Sequence, residues 1–268
     1  FDADGFSVGT NGDFNYGTDS FVGWQWLAGN GTASNEDGSI NTIATSVNTT
    51  AGISISTYTG NATSGATFGH GLGVKPSMVI VKILSGADNW QVYHEAIGAT
   101  KYLQLNTTIA AGTASVIWNN TEPTSTLISL GNGSGVNQSS GTFVAYCFAE
   151  VEGFSKFGSY TGNGAADGAF IYTGFSPAFV IIKCSSVANS WTMYDTTRQP
   201  YNPNGRYILA DTNGAEVAST TVEIDMLSNG FKARDNQNNI NGSGRTYIYM
   251  AFAEHPFGGG GAAPATAR

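Results

Sequence analysis

A chain of 268 residues with 41% apolar composition holds enough hydrophobic material for a core in each of about two domains. Only 11% of the residues are charged, Gly numbers 36, and the formal charge of -8 with a pI near 4.7 repels phosphate backbones without any opposing Lys/Arg cluster, which argues against nucleic-acid binding. No apolar run approaches the roughly 18 residues of a membrane span and no signal peptide with a basic start is visible, so a chain with a neutral, polar surface and no membrane insertion is expected.

The first 29 residues contain Phe6 and then, after an Asn/Gly/Asp-rich turn, the run Ser20-Phe-Val-Gly-Trp-Gln-Trp-Leu-Ala28. They resemble residues 225–254, where Phe231 is followed by an Asn/Gly-rich turn and Thr246-Tyr-Ile-Tyr-Met-Ala-Phe-Ala-Glu254. The offsets, 231 − 6 = 225 for the Phe pair and 252 − 26 = 226 for Trp26 and Phe252, differ by a single residue. Residues 1–29 are therefore expected to form the terminal hairpin of a truncated upstream repeat, with more protein preceding Phe1. Residues 30–52 are rich in Gly, Asn, Ser and Thr with isolated apolar positions, the composition of a linker.

Two complete copies follow, over 53–154 and 155–257. Tyr58-Thr-Gly-Asn61 recurs as Tyr160-Thr-Gly-Asn163, Pro76-Ser-Met-Val-Ile-Val-Lys82 as Pro177-Ala-Phe-Val-Ile-Ile-Lys183, and Trp90 with Tyr93 as Trp191 with Tyr194. The run Thr142-Phe-Val-Ala-Tyr-Cys-Phe-Ala-Glu150 answers the one ending at Glu254. The offset is 194 − 93 = 101 at the Tyr pair and 207 − 102 = 105 at Tyr102 and Tyr207, which places a small insertion in the second copy near Arg198-Gln-Pro-Tyr-Asn-Pro-Asn-Gly205, an exposed loop by its prolines and glycine. Each copy is a series of short runs rich in Val, Ile, Phe, Tyr and Thr separated by turn residues, with no amphipathic helix. The fold class is all-β: two tandem β-sandwich or jelly-roll-like modules. Residues 258–268 read as a flexible Gly/Ala/Pro tail.

Charges are scarce, so Lys82, Lys183, Glu150 and Glu254, each at the end of a repeated apolar strand, are expected to pair as Lys82 with Glu150 and Lys183 with Glu254. The repeated run is apolar on both faces, Val144, Tyr146 and Phe148 on one and Phe143, Ala145 and Cys147 on the other, which requires a central strand or a neighbouring subunit. Trp90 and Trp191, with Tyr93 and Tyr194, are read as core aromatics in preference to sugar-stacking platforms, and Trp24 and Trp26 are possible ligand-contact aromatics. Catalysis is not expected: the three histidines do not recur between copies, His94 aligning with Asp195, and no nucleophile, phosphate-loop or zinc motif occurs. Cys147 and Cys184 lack metal-ligand spacing and read as small buried hydrophobes. Asp2-Ala-Asp-Gly5 opens like a calcium loop but lacks the remaining ligands, so neither cofactor nor metal is expected.

The combination of Tyr58-Thr-Gly-Asn61, Gly69-His-Gly-Leu-Gly-Val-Lys-Pro76, the stretch from Ala145 to Tyr160 and the stretch from Ile240 to Phe257 resembles a β-rich domain family in the C-terminal parts of tail-fibre-like virion proteins of marine tailed phages. The resemblance spans residues 1–257 and its motifs are specific for the family rather than for an activity. It implies a non-enzymatic virion surface protein, part of a tail fibre or receptor-binding protein, with other virion proteins and a host surface glycan as partners. It also implies homo-oligomers, trimers by preference. The alternative in the same setting is a capsid decoration or head-fibre protein.

Overall fold

A computed structural model describes residues 6–29 and 31–253. The chain is all-β, with antiparallel strand pairing throughout its sheets and, among the described residues, only two four-residue helical turns, Ser115–Trp118 and Ser134–Asn137. The first part supplies β1 (Thr42–Asn48), β2 (Ile53–Thr59), β3 (Ala66–Gly69), β4 (Met78–Ile83), β5 (Gln91–His94), β6 (Lys101–Gln104), β7 (Gly112–Thr113), β8 (Leu127–Leu130) and β9 (Thr142–Phe148). The second supplies β10 (Ser155–Thr161), β11 (Phe170–Tyr172), β12 (Pro177–Cys184), β13 (Trp191–Asp195), β14 (Arg206–Leu209), β15 (Val217–Ala218), β16 (Ile224–Leu227), β17 (Gly230–Ala233) and β18 (Thr246–Ala253).

The sequence repeat is a repeat of topology. A large sheet in the first copy runs β1-β2-β9-β4-β5-β6-β7, and one in the second runs β10-β18-β12-β13-β14-β15. Apart from β1 the orders coincide strand for strand. Each large sheet faces a small one, β3-β8 in the first copy and β11-β17-β16 in the second.

Side chains alternate across a strand, so each large sheet has two faces to cover. In the first copy Val79, Val81, Phe143, Ala145 and Cys147 turn inward onto Phe68, Ile128 and Trp118, building one core. In the second, Val180, Ile182, Tyr247, Tyr249 and Ala251 do the same against Ile224 and Phe231. The opposite faces meet each other: Met78, Ile80 and Phe148 from one sheet pack with Phe179, Ile181, Ile248, Met250 and Phe252 from the other in a third core. Met78 and Ile80 are the repeat equivalents of Phe179 and Ile181, so like faces are apposed in a pseudo-twofold arrangement. Four layers result, small sheet, large sheet, large sheet and small sheet, with three apolar cores between them.

This explains the doubly apolar strands. β9 lies between β2 and β4, and β18 between β10 and β12. Each sends one face into its own module and the other into the seam, where burying a large side chain contributes roughly 1.5 to 3 kcal/mol. Of the two explanations for such a strand, a central position or a neighbouring subunit, the first applies: the sister module covers the outer face within the same chain.

Two boundaries differ from the sequence reading. Residues 30–52 are not a plain linker: β1 pairs with β2 from Thr42↔Tyr58 to Asn48↔Ile53, and Ala33 bridges to Thr45. Hydropathy misses this strand because its buried side chains include hydroxyls that bond one another, Thr45 Oγ1 to Thr42 Oγ1 at 2.9 Å and to Ser56 Oγ at 3.0 Å. Residues 6–29 contain no strand, so the amino-terminal hairpin is not formed by the described residues. Its template is not a hairpin either, since β17 pairs with β11 and β16 while β18 sits in the large sheet. The tail from 258, residues 1–5 and any truncated copy before Phe1 lie outside the described residues. No helix among the described residues is long and apolar enough to cross a membrane.

Candidate functional site

Most of the residues singled out by repetition fasten the fold. Tyr58 and Tyr160 are stacked in their cores and donate their hydroxyls to the carbonyls of Val136 and Ile240, both at 2.6 Å. The Asn that closes each Tyr-Thr-Gly-Asn motif donates its backbone N–H to a buried Asn side chain, Asn61 to Asn137 Oδ1 at 2.8 Å and Asn163 to Asn241 Oδ1 at 2.9 Å. Asn137 Nδ2 also donates to the carbonyls of Thr63 and Gly131, and Asn241 Nδ2 to those of Ala165 and Asp235. Asn137 and Asn241 escaped the sequence reading, although their offset, 241 − 137 = 104, equals that of Phe148 and Phe252.

The Lys82–Glu150 pair expected from the sequence does not form. β4 runs antiparallel to β9 with Lys82 opposite Val144, near the start of β9, whereas Glu150 follows its far end. Lys82 Nζ instead donates to the Asp88 carbonyl at 2.8 Å, and Glu150 pairs with Lys156 at 2.5 Å. Lys183 repeats the Lys82 role, donating to the Asn189 carbonyl, six residues on in each copy, and it adds the Thr108 carbonyl of the first module at 3.0 Å. Burial pulls its pKa down to about 8, with Asp211 opposing. The expected partner of Lys183, Glu254, lies outside the described residues.

Trp90 and Trp191 belong to the seam core and Tyr93 and Tyr194 to the module cores, because residues three apart on a strand point to opposite faces. Trp90 and Tyr93 therefore do not share a platform, and neither do Trp191 and Tyr194. Trp191 is 1% exposed, lies 5.8 Å beneath Lys183 Nζ, and donates Nε1–H to the Gln104 carbonyl across the seam at 2.9 Å. Trp90 is half-buried and stacks on Tyr146. Further bonds join the modules there: Ala111 N–H to the Ser185 carbonyl, Asn189 N–H to that of Thr108, and His94 Nε2 with that of Tyr249 at 3.1 Å. His94 is buried on both counts of its ring, its Nδ1 accepting from Ala96 N–H, and desolvation lowers its pKa to about 4. Cys147 and Cys184 are free and buried, one in each module core.

Trp24 and Trp26 close one margin of the seam. Trp24 meets Phe179 edge-on with ring centres 5.4 Å apart, and Trp26 meets Phe179 and Phe252 at 5.6 and 5.4 Å. The segment carrying them is tied to β1 by Asn48 Nδ2 to the Leu27 carbonyl and Ser46 Oγ to that of Gly29. Their rings are spent largely on packing, beside a shallow apolar cleft of about 500 Å³.

A polar cavity lies elsewhere, at the insertion in the second copy. Arg198 locks the start of that loop, bonding Asp195 Oδ2 at 2.5 Å, Glu216 Oε2 and the Met193 carbonyl, with its guanidinium 5.6 Å from the Trp24 ring centre. Asn202 clamps the loop onto Met226 in both directions, donating to its carbonyl at 2.8 Å and accepting from its N–H at 2.9 Å. Asn204, fully buried, donates to the Asp195 carbonyl. Between this loop and the turn joining β16 to β17 is a cavity of about 450 Å³, with Ser176, Thr196, Gln199 and Asn229 as polar walls and Met226 and Leu227 as apolar ones. It contains no charged side chain. The insertion itself is visible in the sequence; the cavity is not, because its other wall comes from residues 226–229.

Among the described residues no group of three or more His, Cys, Asp or Glu is placed to hold a metal ion, and Asp2 to Gly5 lie outside them. No curated protein and no solved structure matches the chain. A family match covers nearly all of it, residues 1–256, the span that holds both repeats, their shared seam and the insertion cavity, and the chain belongs to that family, the domain of unknown function DUF7483.

Proposed function

We propose that this chain is a non-enzymatic surface module of a phage virion, part of a tail fibre or receptor-binding protein that projects from the particle and contacts the host surface. The observation that carries the reading is the fusion of two repeats through the seam core, which turns two small sandwiches into one stiff, sparsely charged body. Loops on such a body are held by a scaffold that does not need them, the arrangement in which binding loops diverge. The sequence resemblance to tail-fibre-like virion proteins supplies the setting. Immunogold labelling of intact particles with an antibody to this chain tests it: label at the tail or its fibres is the expected result, and absence from particles overturns it.

A second reading, a capsid decoration or head-fibre protein that clamps its neighbours, is favoured by one feature. The outer edge of β2 is covered by β1, whereas the equivalent edge of β10 carries no strand among the described residues. Open edges invite strand addition. Label over the capsid lattice would select this reading.

A further inference from the structure

We propose that the cavity at the insertion loop of the second module binds an uncharged saccharide unit, which deepens the host-attachment reading and rests on it for its biological role. The first module completes the same sheet order without these extra residues, so the fold does not require the loop. The volume of about 450 Å³ falls within the roughly 300 to 1,000 Å³ of small-molecule sites.

The chemistry of the walls selects the ligand class. With no carboxylate, ammonium or guanidinium lining it, the cavity has nothing to neutralise a phosphate or a metal ion. Its polar groups are hydroxyls and amides, which donate and accept, as sugar hydroxyls do. Among the described residues, Ser176 Oγ, Thr196 Oγ1 and the Asn229 side-chain amide make no intramolecular hydrogen bond, whereas Asn202 is fully engaged in holding the loop. The first three are therefore the ligand-facing groups and Asn202 is a positioning residue. Met226 offers an apolar wall to the C–H face of a pyranose ring. Tyr201, 77% exposed, lies between the lining residues Pro200 and Asn202 along the chain, and as an exposed aromatic it is available to stack on a bound sugar. The Arg198 and Asn202 anchors fix the loop before binding, which reduces the ordering cost of association.

Saturation-transfer difference NMR on the whole chain, with glucose, galactose, mannose, fucose and N-acetylglucosamine and with inorganic phosphate and N-acetylneuraminic acid as charged controls, tests the proposal. The expected result is transfer to at least one neutral sugar and not to the charged controls. For that sugar, Thr196→Val and Asn229→Ala are expected to weaken binding tenfold or more while leaving the thermal unfolding curve within a few degrees of wild type. Tyr201→Ala, at an exposed position, repeats the test with little risk to folding. Transfer to no neutral sugar, or binding unchanged in all three variants, overturns the proposal. Particle labelling stays separate: label on the tail with no sugar binding sinks the cavity site and leaves the attachment reading standing, and sugar binding without label does the reverse.

Discussion

Trp191 and Trp90 occupy equivalent repeat positions, yet replacing them by Ala is expected to have unequal effects. Trp191 is 1% exposed, its Nε1–H is bonded to the Gln104 carbonyl, and Lys183 lies over its ring. Truncation removes a whole indole from the seam, costing about 3 to 5 kcal/mol, and it leaves the Gln104 carbonyl without that donor. Trp90 is half-buried and its ring contact is the stack on Tyr146, so Trp90→Ala is expected to cost about 1 to 2 kcal/mol. Guanidinium unfolding followed by far-ultraviolet circular dichroism gives both numbers. Because the seam joins the modules, Trp191→Ala should also separate their transitions, giving a broadened or biphasic curve where wild type gives one. Equal losses in the two variants, or a Trp191→Ala loss below about 1 kcal/mol with one sharp transition, would refute the account of the seam as a shared core.

Three further outcomes follow from the same structure. His94 is held neutral in the seam with a pKa near 4 against an ordinary 6.5, so its effect on stability is absent above pH 6.5. As pH falls from there the unfolded chain takes the proton first, and stability drops by about 3 kcal/mol by pH 4. Glu95, raised by burial, works the opposite way over its own range, so the measurement is the difference in pH slope between wild type and His94→Gln, which should be flatter between those limits. Asn241→Ala strips the side-chain bonds to Asn163, Ala165 and Asp235 at a buried site and is expected to lower stability by about 2 to 4 kcal/mol in thermal unfolding, with Asn137→Ala matching it in the first module. Lys183→Met should cost about 2 kcal/mol, since it abandons two carbonyls, one across the seam, whereas Lys82→Met, touching one carbonyl on a partly exposed loop, should cost less than about 1 kcal/mol.

The internal repeat, the all-β class and the central place of Thr142–Phe148 and Thr246–Ala253 were legible in the sequence, because strand alternation and recurrence are local properties of the chain. So was the division of the first of those strands into two apolar faces. What covers the outer face was not, since composition cannot say whether an apolar surface meets another subunit or a sister module. The Lys82–Glu150 pairing failed for a related reason: both residues end strands, but antiparallel order puts those ends apart, and strand order is non-local. β1 was hidden because its buried Thr42 and Thr45 hydroxyls bond each other and Ser56 of β2 and leave no hydrophobic signature. The insertion near Arg198 could be located from offsets alone, whereas the cavity depends on a turn some twenty-five residues downstream folding back against it. Sequence thus determined the strands and their repetition, through alternation and turn chemistry, and tertiary structure decided which faces, ends and loops meet, because those depend on how the two sheets stack.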